Sequence, residues 1–153
     1  MDEDLQLGVT TLFRDATKQN LMSAIKTPQD WKRFNDIQAK AEEREQAEMA
    51  AFERDRPQLL AKAKAQIIAK AGSKTHEHPA PFGIDRINKS NIDAEAAQQI
   101  ERAHQGRLLK IREDEAQGYS ELKQDIRARE GVRDMARDAF ARSADRRRAG
   151  PSR

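Results

Sequence analysis

Residues 90–126 read SNIDAEAAQQIERAHQGRLLKIREDEAQGYSELKQDI. Within them Ile92, Ala96, Ile100, Ala103, Leu108, Ile111, Gly118 or Tyr119, Leu122 and Ile126 recur at steps near three and four, which sets them on one face of a helix. Ser90-Asn91-Ile92-Asp93 offers a capping hydroxyl followed three residues later by an acid. A continuous helix over 91–130 would be about 60 Å long at 1.5 Å per residue. A compact globule of this chain length is only about 40 Å across, so an elongated molecule is expected. The stripe is narrow and rich in alanine, which suits close packing against another helix of the same chain or of a second copy. Gly106, Gly118 and Gly131 each weaken the helix by up to about 1 kcal/mol and mark places where it can bend or break.

Upstream, two more stripes appear. Leu5, Val9, Leu12, Phe13 and Ala16 share one helical face behind an acidic start, as the positive end of a helix dipole prefers. Thr27-Pro28-Gln29-Asp30 then supplies an N-cap hydroxyl, a proline at the first helical position and an acid that closes a capping box. Trp31, Phe34, Ile37, Ala41, Met49 and Phe52 follow on one side, but Gln38 to Glu48 between them is nearly all polar, so that middle either bridges solvent or meets a polar partner. Asp55-Arg56-Pro57 predicts a kink, or a stop and restart. Leu60, Ala63, Ile67, Ile68 and Ala71 continue to Gly72, placed as a C-terminal cap.

Between 73 and 90 the periodicity fails, and Pro79, Pro81 and Gly83 mark an irregular loop. Val132, Met135, Ala136, Ala139 and Phe140 resume a stripe before the Arg-rich ending from Arg142, which reads as a disordered basic tail. The fold class that emerges is all-α: an elongated helical hairpin, or coiled-coil-like bundle, of four or five helices with one long irregular loop. Its parts are N-terminal helices over 1–72 with a kink near 55–57, the loop over 73–90, the long helix and its continuation over 91–141, and the tail over 142–153.

Composition agrees. Of 153 residues 55 are charged, 24 are alanine, and Leu, Ile, Val and Phe together number 26, too few for a thick core. Basic and acidic residues nearly cancel, 29 against 26, which argues against wholesale disorder. No apolar run reaches the roughly 20 residues that span a bilayer. Met1-Asp2-Glu3-Asp4 is acidic where a signal peptide is basic, so a cytoplasmic chain, or one in a soluble assembly, is expected. The absence of cysteine excludes disulfides, thiolate zinc sites and a cysteine nucleophile.

Motifs for chemistry are few. Thr75-His76-Glu77-His78 puts two imidazoles on one side of an extended segment, yet zinc wants three or four ligands and none follows nearby. Glu101 and His104 form a single Glu-x-x-His unit where di-iron bundles use two, so His104 is expected to flank a packing seam. No Gly-x-Ser-x-Gly, phosphate loop or His-Glu-x-x-His occurs. No enzyme, metal, cofactor or small-molecule substrate is expected.

Two functional readings remain. The first is an interaction or assembly protein that contacts a protein partner, or itself, through Trp31, Phe34, Phe52, Phe82, Leu108, Ile111 and Leu122. Trp31 and Phe34 also suit the core between the N-terminal helices, and Phe82, in its proline-bounded loop, either plugs back onto the helices or presents a docking segment. The second is a nucleic-acid accessory protein, using Lys62, Lys64, Lys70, Arg102, Arg107, Arg146, Arg147 and Arg148 on phosphates. Charge is uneven enough to allow it: residues 1–55 carry 8 basic and 12 acidic groups, 56–110 carry 10 and 5, and 111–153 carry 11 and 9.

Overall fold

The computed structural model describes residues 3–77 and 89–150, and these form three helices: α1 (Glu3–Ala24), α2 (Pro28–Glu77) and α3 (Lys89–Arg148). Among the described residues the fold is all-α as expected, but three long helices stand where four or five were expected. The expected breaks are bridged. Pro57 sits inside α2, where it removes one backbone donor without ending the helix. Gly72 does not cap α2, which continues to Glu77, and Gly106, Gly118 and Gly131 all lie within α3. The helix α3 already includes Lys89 and Ser90, so Ser90 is not its N-cap, and it extends through Arg148, so most of the expected tail is helical. His78 and Phe82 lie outside the described residues, and His76 is on the last helical turn of α2 instead of an extended segment.

The turn between α1 and α2 is the one read from the sequence. The backbone N–H of Asp30 donates to Thr27 Oγ1 at 3.2 Å, and Trp31 N–H donates to the Thr27 carbonyl at 3.1 Å, which begins α2 at Pro28. Asp30 is almost fully buried and also accepts from Arg129 of α3, so the start of α2 is tied to a fixed level of α3.

Ion pairs give the helix directions. Arg33 meets Asp125 at 2.9 Å, Arg44 meets Asp114 at 3.0 Å and Lys64 meets Asp93 at 2.8 Å, a descending series that makes α2 and α3 antiparallel. Thr11 meets Arg112, Arg14 meets Glu115 and Lys26, just past the end of α1, meets Glu130, an ascending series that makes α1 parallel to α3. Thus α3 is the shared element, with α1 and α2 both packed on it.

The core has three parts. Leu21, Ile25, Phe34, Tyr119, Leu122 and Ile126 join all three helices, with Ile37 against them. Ala41, Leu108 and Ile111 form a smaller middle group that Leu7 covers. Phe52, Ala63, Ala96 and Ile100 close the α2–α3 hairpin alone, with Leu59, Leu60 and Ile67. Buried positions of α3 run 96, 100, 104, 108, 111, 115, 119, 122 and 126, with Ala116 buried beside Glu115. Their mean step is longer than the 3.5 residues of a left-handed coiled coil, and residues 104, 115 and 126 repeat at eleven, so the seam does not follow heptads.

Past Glu130 neither α1 nor α2 continues alongside α3, and every residue from 131 to 143 is exposed. The segment from Gly131 to Arg148 is therefore a single-helix overhang about 27 Å long.

Candidate interaction surface

Most of the large side chains assigned to a partner are spent within the chain. Phe34 stacks on Tyr119 with ring centroids 5.2 Å apart, and Trp31 meets Phe34 edge-on at 5.6 Å while keeping part of its surface exposed. Phe52 is buried between α2 and α3, Leu108 and Ile111 pack with Ala41 beneath Leu7 of α1, and Leu122 sits in the core that joins all three helices. Their burial follows from the packing of α1 and α2 on α3, which gives each of them an intrachain neighbour.

The outward apolar groups are others. Leu5, Val9, Leu12 and Phe13 are exposed, Leu12 at 71% and Phe13 at 63%. At about 100° per residue they lie on the side of α1 opposite Leu7, Thr11, Arg14, Lys18 and Leu21, which form its inner face. The stripe visible in the sequence thus faces away from its own bundle. Leu5 and Val9 also border a groove of about 270 Å³ with Leu109 and Glu113. On the overhang, Val132, Met135 and Phe140 are exposed too, Met135 at 72% and Phe140 at 78%.

Behind the α1 stripe lies a polar layer that the sequence showed only as the polar middle of α2. Arg112 donates from Nε to Glu45 at 3.0 Å and from Nη1 to Thr11 Oγ1 at 2.8 Å, and Thr11 in turn donates to the Leu7 carbonyl at 2.7 Å. Arg14 Nη1 reaches Glu115 at 3.3 Å and Glu45 at 3.9 Å, while Tyr119 donates to Glu115 at 2.7 Å. Two cations and two carboxylates thereby balance across three helices. Burial depresses the Arg14 pKa, but Glu115, Asp15 and Glu45 outweigh it and hold the guanidinium above its ordinary value. Burial, with Glu115 as acceptor, raises the Tyr119 phenol.

One step along, Glu48 accepts from Arg107 and meets His104 Nδ1 at 3.1 Å; the buried His104 ring lies flat on Phe52 with centroids 4.1 Å apart. Burial alone would raise the Glu48 carboxyl, yet Arg107 and His104 lower it overall. Glu101 takes no part in this group and accepts instead from Gln105 at 3.0 Å. Among the described residues no three histidines, cysteines or carboxylates are grouped to hold a metal ion. Nor is any described helix long and apolar enough to cross a membrane.

The basic residues do not form one patch. Lys64 pairs with Asp93, Arg107 with Glu48, and Lys70 and Arg102 are also engaged; Lys62 is exposed on α2. Arg146, Arg147 and Arg148 make no ion pair among the described residues and occupy the last turn of α3, where cations suit the negative end of the helix dipole. Arg147 is about 80 Å along α3 from Asp93, which separates the two basic groups. The chain matches no known protein family, no curated protein and no solved structure.

Proposed function

We propose that this chain is a non-enzymatic interaction or assembly protein that works through helix-on-helix contacts at the outer face of α1 and at the α3 overhang. The observation that carries this reading is the outward display of Leu5, Val9, Leu12, Phe13, Val132, Met135 and Phe140 by a chain with so few large apolar residues. Covering such side chains is worth roughly 1.5–3 kcal/mol each, and contiguous exposed apolar surface marks interaction sites. A lone helix the length of the overhang is also marginal in water until something packs on it. Photo-crosslinkers at Leu12 and Met135 should each capture protein in the host cell, and one at the exposed Gln117 should not. Equal capture at all three positions, or none at the first two in a folded chain, overturns the reading.

A second reading rests on the exposed Arg146-Arg147-Arg148 turn, which suits phosphate contact by counterion release. It predicts DNA or RNA binding that falls steeply with salt and is lost when all three become alanine. No detectable binding at about 50 mM salt overturns it.

A further inference from the structure

We propose that the α3 overhang of one copy packs, parallel, on the outer face of α1 of a second copy, so that the chain joins end to end into an open assembly. This rests on the reading that the two exposed stripes are contact surfaces, and it names their occupant.

The two stripes have one spacing. Leu5, Val9, Leu12 and Phe13 step by four, three and one, and so do Val132, Ala136, Ala139 and Phe140. Set in register, Val9 and Leu12 meet Ala136 and Ala139, large against small, which allows the helix axes to approach closely. Charge is complementary as well. In that register the overhang runs beside residues 4–21, whose acids, Asp4 and Asp15, are exposed, whereas their bases are turned inward, Arg14 to Glu115 and Glu45 as well as to Asp15, and Lys18 over the Phe34 ring. Residues 131–148 contain six arginines and three aspartates, none in an ion pair among the described residues. The same register brings Asp15 level with Arg142 of the neighbouring copy.

The sides on which the stripes lie decide the kind of assembly. On α3, the residues that meet α2 include Arg107, Asp114, Gly118 and Asp125, whereas Glu115 meets Arg14 of α1 and Arg112 reaches both Thr11 of α1 and Glu45 of α2. At about 100° per residue, Val132, Ala136 and Ala139 continue the α2-facing side, where α2 has already ended. The overhang stripe and the outer face of α1 therefore lie on different sides of α3 and at different levels along it. A two-fold dimer cannot close both contacts at once, so each joined pair leaves one stripe of each kind free. Thr11 is level with Arg112 and Phe13 would be level with the neighbour's Phe140, so each copy advances about 40 Å along the array.

Sedimentation and light scattering of the full chain over about 10 μM to 1 mM test this. The average mass should climb past two copies without a plateau. Leu12→Glu with Phe13→Glu, and separately Ala139→Glu with Phe140→Glu, should each give monomers with unchanged helix content, because all four positions are exposed. Mixed in equal amounts, the two variants should form a dimer that grows no further, since each keeps the stripe the other lacks. If either variant unfolds, Val9→Cys with Ala136→Cys in this cysteine-free chain should give a ladder of oxidised multimers. A monomeric wild type, a plateau at two copies, an inert mixture or no ladder overturns the proposal. Capture of a different protein at Leu12 or Met135 by a chain that stays monomeric would overturn the second copy as occupant and leave the interaction reading standing.

Discussion

The phenol of Tyr119 donates at 2.7 Å to Oε1 of Glu115 one turn earlier in α3, while Oε2 of the same carboxylate takes Arg14 from α1 at 3.3 Å. One buried acid therefore holds two helices in register. Tyr119→Phe removes a donor from a buried carboxylate and should cost about 1–2 kcal/mol in urea unfolding. Arg14→Leu leaves that charge without its cation and should cost more, about 3 kcal/mol. Adding Glu115→Leu to Arg14→Leu should recover part of the loss. A double variant no more stable than Arg14→Leu would show that the pair does not act as a unit.

Asp30 connects stability to pH. Burial pushes its carboxyl up, but hydrogen bonds from Arg129 and Thr27 win and hold it below the ordinary carboxylate value. A depressed folded pKa contributes stability that is present above the unfolded value, near 4, and is lost as pH falls through the folded one. Glu48 and Asp114 are lowered too, by Arg107 and His104 in one case and by Lys110 and Arg44 in the other, and add to the same window. The wild type should thus be more stable than Asp30→Asn at pH 7, with the gap shrinking at about pH 3. Urea midpoints at the two pH values read it, and a constant gap would mean that the Asp30–Arg129 pair contributes nothing.

How far the fold could be read from the sequence differs by helix. Along α3 the expected stripe is the buried seam at Ala96, Ile100, Leu108, Ile111, Tyr119, Leu122 and Ile126, because the helix is long enough for periodicity to exceed noise. Ala103 was the wrong neighbour: His104 is buried instead, since Phe52 offers it a flat face and Glu48 a partner. In α1 periodicity found an apolar face but could not say what it faces. The inner face includes Thr11, Arg14 and Lys18 and reads as surface until Arg112, Glu115 and Glu45 are placed beside it. Such partners lie far off in sequence, so local pattern carries no sign of them. For the same reason Glu45, which meets both α1 and α3, and Glu48, which meets α3, read only as part of a polar middle.

Two glycines of α3 should respond oppositely to substitution. A Cβ on Gly106 would meet nothing within 4 Å, whereas one on Gly118 would lie 3.1 Å from Ile37 Cγ2 of α2. Gly106→Ala should stabilise by up to about 1 kcal/mol through helix propensity alone. At Gly118 the same gain is set against the close approach of α2, and a larger side chain must push the helices apart. Gly118→Leu should then cost about 1–3 kcal/mol by overpacking. Thermal melts of both variants read the contrast, and two changes of the same sign would place Gly118 away from a tight seam.

The overhang should behave as a separate unit. Ile126 is the last buried apolar residue of α3, and from 131 to 143 every residue is exposed, so nothing there adds to the core that holds the bundle. An isolated helix of this length gains little beyond its own hydrogen bonds and opens easily at low concentration, where no second copy covers it. Amides of 132–146 should therefore exchange at least about 100-fold faster than those of 108–126, and should slow as concentration rises if the overhang finds its site on another α1. Ending the chain at Glu130 should leave the melting temperature of the dilute protein nearly unchanged while abolishing the growth in mass. A truncated chain that melts much lower would mean that the overhang contributes to the bundle itself.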